Sequence, residues 1–156
     1  MGRDGRLDWL LRASLTQIQR APWGCGVARL ALADYDCQSD MVVAHCHAGL
    51  GNQLLDNHEF ILSEMPGLSL VAAGREMRVV HELPRTGMDR PHLQAMRAAG
   101  LRSSLTVPLS QGDALVGFLF LNATVPYYFQ GETLAHLQAI MGVLASTVLR
   151  EMCRGI

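Results

Sequence analysis

Apolar residues recur every three or four positions near both ends of the chain. The repeating positions are Leu7, Leu11, Leu15 and Ile18 in the first segment, and Leu137, Met141, Leu144 and Val148 in the second. This spacing is typical of an amphipathic helix with a single apolar stripe. The sequence therefore predicts a helix over about 7–20 and a second one over about 131–152.

Between these helices, apolar runs of strand length alternate with short polar connections. The predicted strands are 26–34, 40–48, 77–83, 101–109 and 114–123, and short helices are expected within 54–65, 68–73 and 90–99. The last two strands are joined by Ser110-Gln111-Gly112-Asp113, in which Gly and Asp tolerate the backbone of a tight turn. This order predicts an α+β fold in which a helical layer packs on an antiparallel sheet.

Composition indicates one apolar domain over residues 1–156, with 49% hydrophobic and 17% charged residues, where about 25% charged is usual. The 13 cations are all arginine and are scattered from Arg3 to Arg154, so we expect no nucleic-acid partner. No apolar run reaches the roughly 18 residues of a membrane span, so we expect a cytoplasmic protein without a membrane partner. The four cysteines lack paired spacing, which favours free thiols.

The segment from Ala99 to Phe129 carries a series of linked motifs. Gly100-Leu101-Arg102-Ser103 begins a strand that ends in Val107-Pro108-Leu109, and a turn at Gly112 leads to an apolar strand centred on Gly117. This order resembles the C-terminal half of GAF domains. The resemblance implies a central antiparallel sheet of five or six strands, terminal helices on one face, and short helices and loops over a pocket on the other.

The same resemblance implies a function. GAF domains are generally non-catalytic sensory or regulatory domains that bind a small molecule, dimerise, or do both. They control an output module, which the natural chain can itself carry. For this chain we expect a homodimer in bacterial signalling, such as a two-component system, acting on a sensor histidine kinase, a cyclic-di-nucleotide enzyme or a transcription regulator. The sequence identifies neither the ligand nor a cofactor.

Candidate pocket residues follow from position in that fold. They are Phe60, Met65, Val80, Leu93, Met96, Ser104, Thr106 and Phe118. Ordinary core packing accounts for each of these residues equally well. Arg75, Arg78 and Arg102 are candidates for binding an anionic ligand group through the guanidinium fork.

The two helical stripes supply the candidate dimer contacts. We expect part of each stripe to cover the sheet and the rest to pair with a second copy, because symmetric homodimers are the commonest oligomers. The predicted interface therefore consists of the eight apolar positions at which the two terminal helices repeat.

The triplet His45-Cys46-His47 supports an alternative function, a metal- or thiol-dependent sensor or enzyme. On a regular strand, His45 and His47 would lie on one face about 7 Å apart, close enough to share a metal. Cys46 would face the other way, and a third ligand would have to come from His58, His81 or Glu59. Two strand histidines without a metal fit the same pattern.

Three activities found among GAF-like proteins lose support from the sequence. The chain has no lysine, so it lacks the Asn-Lys-Phe-Asp-Glu signature of cyclic-nucleotide binding. Its adjacent Cys46-His47 pair lies on an early strand, which disfavours covalent attachment of a bilin. No cysteine occurs between Gly49 and Gly100, where the free methionine sulfoxide reductases need one.

Overall fold

A computed structural model describes residues 2–56, 59–84 and 91–154. It contains an antiparallel six-stranded sheet with the order β3-β2-β1-β6-β5-β4. The strands are β1 (Val27–Asp36), β2 (Met41–Gly49), β3 (Glu59–Ile61), β4 (Arg78–Val80), β5 (Ser103–Gln111) and β6 (Ala114–Ala123). The predicted α+β architecture with five or six strands is confirmed.

Helices cover both faces of the sheet. They are α1 (Arg3–Arg20), α2 (Gln53–Asp56), α3 (Pro66–Gly74), α4 (Pro91–Ala98) and α5 (Gly131–Met152), with a 3-10 turn at Leu62–Glu64. Pro66 and Pro91 each open a helix, where a missing N–H leaves no hydrogen bond unmade. Helix α3 is ended by the residue that follows it, Arg75, which adopts the left-handed conformation with a φ of 56°.

The main core lies between the sheet and the pair formed by α1 and α5. Leu30 and Leu32 of β1 and Leu119 and Leu121 of β6 belong to this core. From the helices come Leu7, Leu11, Leu15, Ile18, Leu137, Met141, Leu144 and Val148, none more than 6% exposed. These eight residues are also the predicted dimer contacts. Each apolar stripe packs mainly against the sheet of its own chain, which leaves its side chains little surface for a partner, and Ile18 and Leu144 also border the outer side of the helix pair.

By length and composition, α5 is the one helix among the described residues that could cross a membrane. Its apolar residues Leu137 and Met141 are fully buried against the sheet of the domain. Packing within the domain thus accounts for part of its apolar character. Its outer face is exposed to solvent.

The region around residues 54–65 differs from the prediction. In place of one short helix, the structure has α2, then strand β3 paired with Met41–Val43 of β2, then the 3-10 turn. A short apolar run such as Phe60-Ile61-Leu62 fits a helix or a strand equally well by periodicity. The strand predicted over 77–83 is also shorter, covering only Arg78–Val80.

A β-bulge interrupts the pairing of β1 with β2. Leu32 pairs with Cys46 and Ala33 with Ala44, so His45 is an extra residue without a partner on β1. One extra residue reverses the alternation of side chains beyond it. His45 and Cys46 consequently both lie on the face covered by α1, and the prediction that His45 shares a face with His47 is wrong.

Candidate functional site

Seven of the eight predicted pocket residues line two cavities on the face of the sheet opposite α1 and α5. The larger has a volume of about 230 Å³ and lies between the sheet, α3 and α4. Of the predicted pocket residues, it is lined by Met65, Val80, Leu93, Met96, Ser104 and Thr106. Ser104 and Thr106 are on alternate positions of β5, so both side chains point to the cavity while Leu105 between them enters the main core.

The smaller cavity, of about 110 Å³, lies over β1 and β2 beside α2. Phe60, the seventh predicted pocket residue, lines this cavity. His92 and Phe120 line both cavities, so the two spaces adjoin. Sequence reasoning did not select Phe120 for the pocket, although it lies on the same face of β6 as Phe118.

The eighth predicted residue, Phe118, lines neither of these cavities. It is fully buried in a second apolar cluster with Ala33, Val42, Leu62 and Val71. The 3-10 turn and α3 cover this end of β6, so Phe118 is a core residue. Phe120, two residues further along the strand, is half-buried: it packs against the edge of this cluster and also borders both cavities.

Arg29 on β1 lines the smaller cavity and is only 6% exposed. Its Nε–H has no hydrogen-bond acceptor among the described residues. Burial lowers the pKa of Arg29, and the nearby Asp56 carboxylate opposes this shift. The sequence analysis did not select Arg29, because it lies within an otherwise apolar predicted strand. A charged residue inside a strand predicted to be covered on both faces was the sequence feature that could have identified it.

The arginines proposed from the sequence have different environments. Arg78 lines the larger cavity and passes directly over Gly67, where an added Cβ would collide with its guanidinium group. Arg75 donates to the carbonyl oxygen of Asp113 at 2.9 Å, and Arg102 donates to the carbonyl oxygen of Leu101 at 2.8 Å. Only Arg78 of these three is placed to meet a ligand in either cavity.

The imidazole of His45 is held between two carboxylates on the helix-covered face. Its Nδ1 lies 2.7 Å from Oδ2 of Asp34, and its Nε2 lies 3.2 Å from Oδ1 of Asp4 on α1. The hydrogen bond with Asp34 raises the pKa of His45, against an opposing effect of burial. This arrangement joins the start of α1 to the sheet.

His47 belongs to the cavity side instead. Its Nδ1 lies 2.9 Å from Oδ1 of Asp56 on α2. Burial, and then the positive charge of Arg29, lower the pKa of His47. The two histidines of the triplet thus bind different carboxylates on different elements.

The remaining parts of the metal and thiol hypothesis do not assemble. Within residues 2–56, 59–84 and 91–154, no three His, Cys, Asp or Glu side chains are placed to hold a metal ion. His81 stacks on Tyr127 with ring centroids 5.1 Å apart, Glu59 is exposed on β3, and His58 lies outside the described residues. Burial raises the pKa of the Cys46 thiol to about 12, so this thiol is protonated at neutral pH.

Comparison with known proteins decides the family. The sequence profile of the GAF domain matches residues 13–148. The chain belongs to the GAF domain family. The match extends the resemblance seen in residues 99–129 over nearly the whole sequence. No curated protein matches the chain significantly.

Solved structures share the fold of this GAF domain at low sequence identity. The GAF domain/HD domain protein from Geobacter sulfurreducens has a TM-score of 0.69 at 15% identity, over 96% of this chain and 97% of that one. The phycocyanobilin-bound GAF domain from a cyanobacterial phytochrome scores 0.64 at 18% identity, over 96% and 87%. Type II free methionine-R-sulfoxide reductase from Thermoplasma acidophilum scores 0.60 at 12% identity, over 95% of each chain.

The GAF domain has a further concave surface on the opposite side, between α1 and α5. This apolar groove has a volume of about 670 Å³. It is lined by Trp9, Leu10, Ala13, Ser14, Gln17, Ile18, Ala21, Trp23, Ala139, Ile140, Val143, Leu144 and Thr147. None of these residues is charged, and Trp9 and Val143 are 61% and 71% exposed. The groove is made by the outer sides of the helices whose inner sides form the main core.

Proposed function

We propose that this GAF domain is a non-catalytic sensory domain that binds a small molecule in the two adjoining cavities. In this proposal it acts in the bacterial cytoplasm and controls an output module of a signalling pathway, such as a two-component system. The module would be a sensor histidine kinase, a cyclic-di-nucleotide enzyme or a transcription regulator, in the same natural chain or in a partner.

The observation that carries the proposal is the character of the cavities. Their walls combine apolar side chains such as Met96 and Phe120 with a few polar groups, among them Ser104, Thr106 and Arg29. Concave sites with mostly apolar walls and a few placed polar groups are typical of small-molecule binding. One structural neighbour is described as phycocyanobilin-bound, so a domain of this fold can hold a small organic molecule.

Strand β6 offers a physical route from ligand to output. Phe120 lines both cavities, while Leu119 and Leu121 on either side of it are buried beneath α1 and α5. A ligand that displaces Phe120 would therefore shift strand β6, against which α1 and α5 both pack. It can shift the arrangement of those helices only by its differential affinity for the two states.

We further propose that a second copy of the chain occupies the groove between α1 and α5. Helix α5 carries no Asp, Glu, Lys or Arg between Glu132 and Arg150, so several turns of its exposed outer face lack charge. A symmetric interface brings the same patch from both subunits together, so a surface without charge avoids like-charge repulsion with its own copy. Trp9 and Val143 line the groove, are largely exposed, and can pack against the groove of the partner.

A catalytic role centred on His45, Cys46 and His47 receives less support. The bulge places His45 and His47 on opposite faces, and the Cys46 thiol is the protonated, weakly nucleophilic form at neutral pH. The free methionine-R-sulfoxide reductase among the structural neighbours shows that this fold can be catalytic. This chain lacks a cysteine between Gly49 and Gly100.

A thermal-shift screen of metabolites against the purified domain tests ligand binding. A compound that binds only the folded state raises the melting temperature by mass action. The variant Thr106→Leu fills the larger cavity and is expected to reduce the shift, whereas Thr16→Leu on the exposed side of α1 makes the same chemical change away from both cavities. Equal ligand-induced shifts in the two variants would contradict binding in the larger cavity.

A further inference from the structure

Among the described residues, Arg29 is the one charged residue that is buried. The other buried polar residues there are Ser103, Ser104, Thr106 and Asn122. Lysine and arginine are almost never fully buried unless they are paired. Apolar residues are the usual occupants of a buried strand position. An arginine at this position is therefore expected to have an anion or a hydrogen-bond acceptor as its partner.

The domain itself does not supply that partner completely. The Nε–H of Arg29 is shielded from solvent and has no acceptor among the described residues. Asp56 is close enough to interact electrostatically, but its Oδ1 is already bound by Nδ1 of His47 at 2.9 Å. A buried donor without an acceptor is rare in proteins, and an incoming acceptor removes the desolvation penalty of that group.

The space beside Arg29 is shaped for a small molecule with one polar end. Three alanines, Ala31, Ala33 and Ala44, leave room over β1 and β2, while Phe60 and Phe120 supply aromatic walls. Arg29 lies near the Asp56 carboxylate, so the site has limited net positive charge. A singly charged group is therefore favoured over a doubly charged phosphate, which Asp56 would repel.

We propose that the smaller cavity binds the carboxylate of a small organic acid through Arg29, with the apolar part of the acid against Phe60 and Phe120. The guanidinium fork matches a carboxylate in two parallel hydrogen bonds. This inference rests on the proposed ligand-binding function and adds the chemical class of the ligand. Arg29 is the residue that selects the charged acid over its neutral analogues.

A first experiment needs no ligand. If Arg29 lacks a full partner in the free protein, Arg29→Met removes a buried cation whose Nε–H has no acceptor while keeping the volume, and the melting temperature rises by about 3 °C. Arg12→Met changes an arginine whose side chain is 71% exposed and leaves the melting temperature unchanged. A melting temperature lowered by Arg29→Met, or a failure of that variant to fold, would show that Arg29 is a structural residue and overturn the proposal.

A second experiment uses matched pairs of probes. Acetate, butyrate, hexanoate, benzoate and 3-phenylpropionate are each compared with the corresponding primary amide by thermal shift and calorimetry. At least one acid is expected to bind about tenfold more tightly than its amide. Arg29→Gln abolishes that preference and Arg12→Gln preserves it.

The possible outcomes separate the two proposals. Amides that bind as well as acids, or an acid preference that survives Arg29→Gln, would overturn the role of Arg29 while leaving ligand binding in place. The same holds if neutral compounds from the metabolite screen bind and none of the acids does. If neither these probes nor any screened compound binds, the proposed sensory function fails together with this inference.

Discussion

Phe118 and Phe120 lie on the same face of β6 with ring centroids 6.0 Å apart, but only Phe120 lines the cavities. Phe118 is fully buried beneath the 3-10 turn and α3. The two phenylalanines thus mark the boundary between the core of this face and its candidate ligand site.

That boundary predicts different consequences for the same substitution. Phe118→Ala should lower the free energy of unfolding by about 4 kcal/mol, the range for a fully buried phenylalanine. Phe120→Ala should lower it by only about 2 kcal/mol, because its ring already borders empty space. Urea denaturation measures both values, and equal losses would mean that Phe120 is as tightly packed as Phe118.

The dimer proposal predicts that charge on the outer side of α5 prevents association. Val143→Glu should weaken the dimer about tenfold or more, because a buried carboxylate without a partner is strongly unfavourable. Leu70→Glu on α3 is a matched control, since Leu70 and Val143 are both 71% exposed. Sedimentation velocity over a concentration series distinguishes the variants; a monomeric wild-type protein, or a dimer unaffected by Val143→Glu, would contradict the proposal.

The His45–Asp34 interaction predicts a pH-dependent contribution to stability. The folded state raises the pKa of His45 above the value of about 6.5 in an unfolded chain, mainly through the hydrogen bond with Asp34, with burial opposing and the Asp4 carboxylate adding a smaller effect. The stabilising effect is therefore complete below about pH 6.5 and is lost as the pH rises through the folded pKa. The difference in melting temperature between the wild type and His45→Asn should be larger at pH 5.5 than at pH 8.5.

Asp34→Asn provides the partner variant for this measurement. It removes the carboxylate that makes the 2.7 Å contact, so the pH dependence of the difference should largely disappear in the Asp34→Asn background. If the melting temperature of the wild type exceeded that of His45→Asn by more at pH 8.5 than at pH 5.5, the result would contradict a histidine stabilised in its charged form.

The cysteines are predicted to differ in reactivity. Cys46 is half-buried and its pKa is raised to about 12, so iodoacetamide at pH 7.5 should modify it slowly. Cys25 and Cys37 are exposed and should react first. Peptide mapping by mass spectrometry resolves the three sites, and modification of Cys46 as fast as Cys37 would revive a thiol-based function.

Local patterns were sufficient to predict much of this architecture. The hairpin of β5 and β6 around Gly112 and the long helix α5 were recognised because their periodicity is continuous over many residues. Strand β3 was missed because three residues carry too little periodicity to separate strand from helix. The remaining errors concern which side chains lie on the same face of the sheet and which elements pack over them.

Those errors have tertiary causes. The bulge at His45 depends on the register of β2 against β1, which no property of residues 45–47 by themselves reveals. The helical stripes were recognised correctly, but periodicity does not show whether a stripe faces the sheet or another chain. Likewise, Phe118 and Phe120 have the same type and strand face, and only the placement of α3 separates core from cavity.

The central claim is that the cavities on this face of the sheet bind a small molecule. Methyl NMR of protein labelled at the methionine methyl groups tests it most directly, because Met65 and Met96 line the larger cavity and Met141 is fully buried on the opposite face. A compound that stabilises the domain should shift the Met65 and Met96 signals strongly and that of Met141 weakly. Stabilising compounds that leave Met65 and Met96 unchanged and move Met141 would contradict the account.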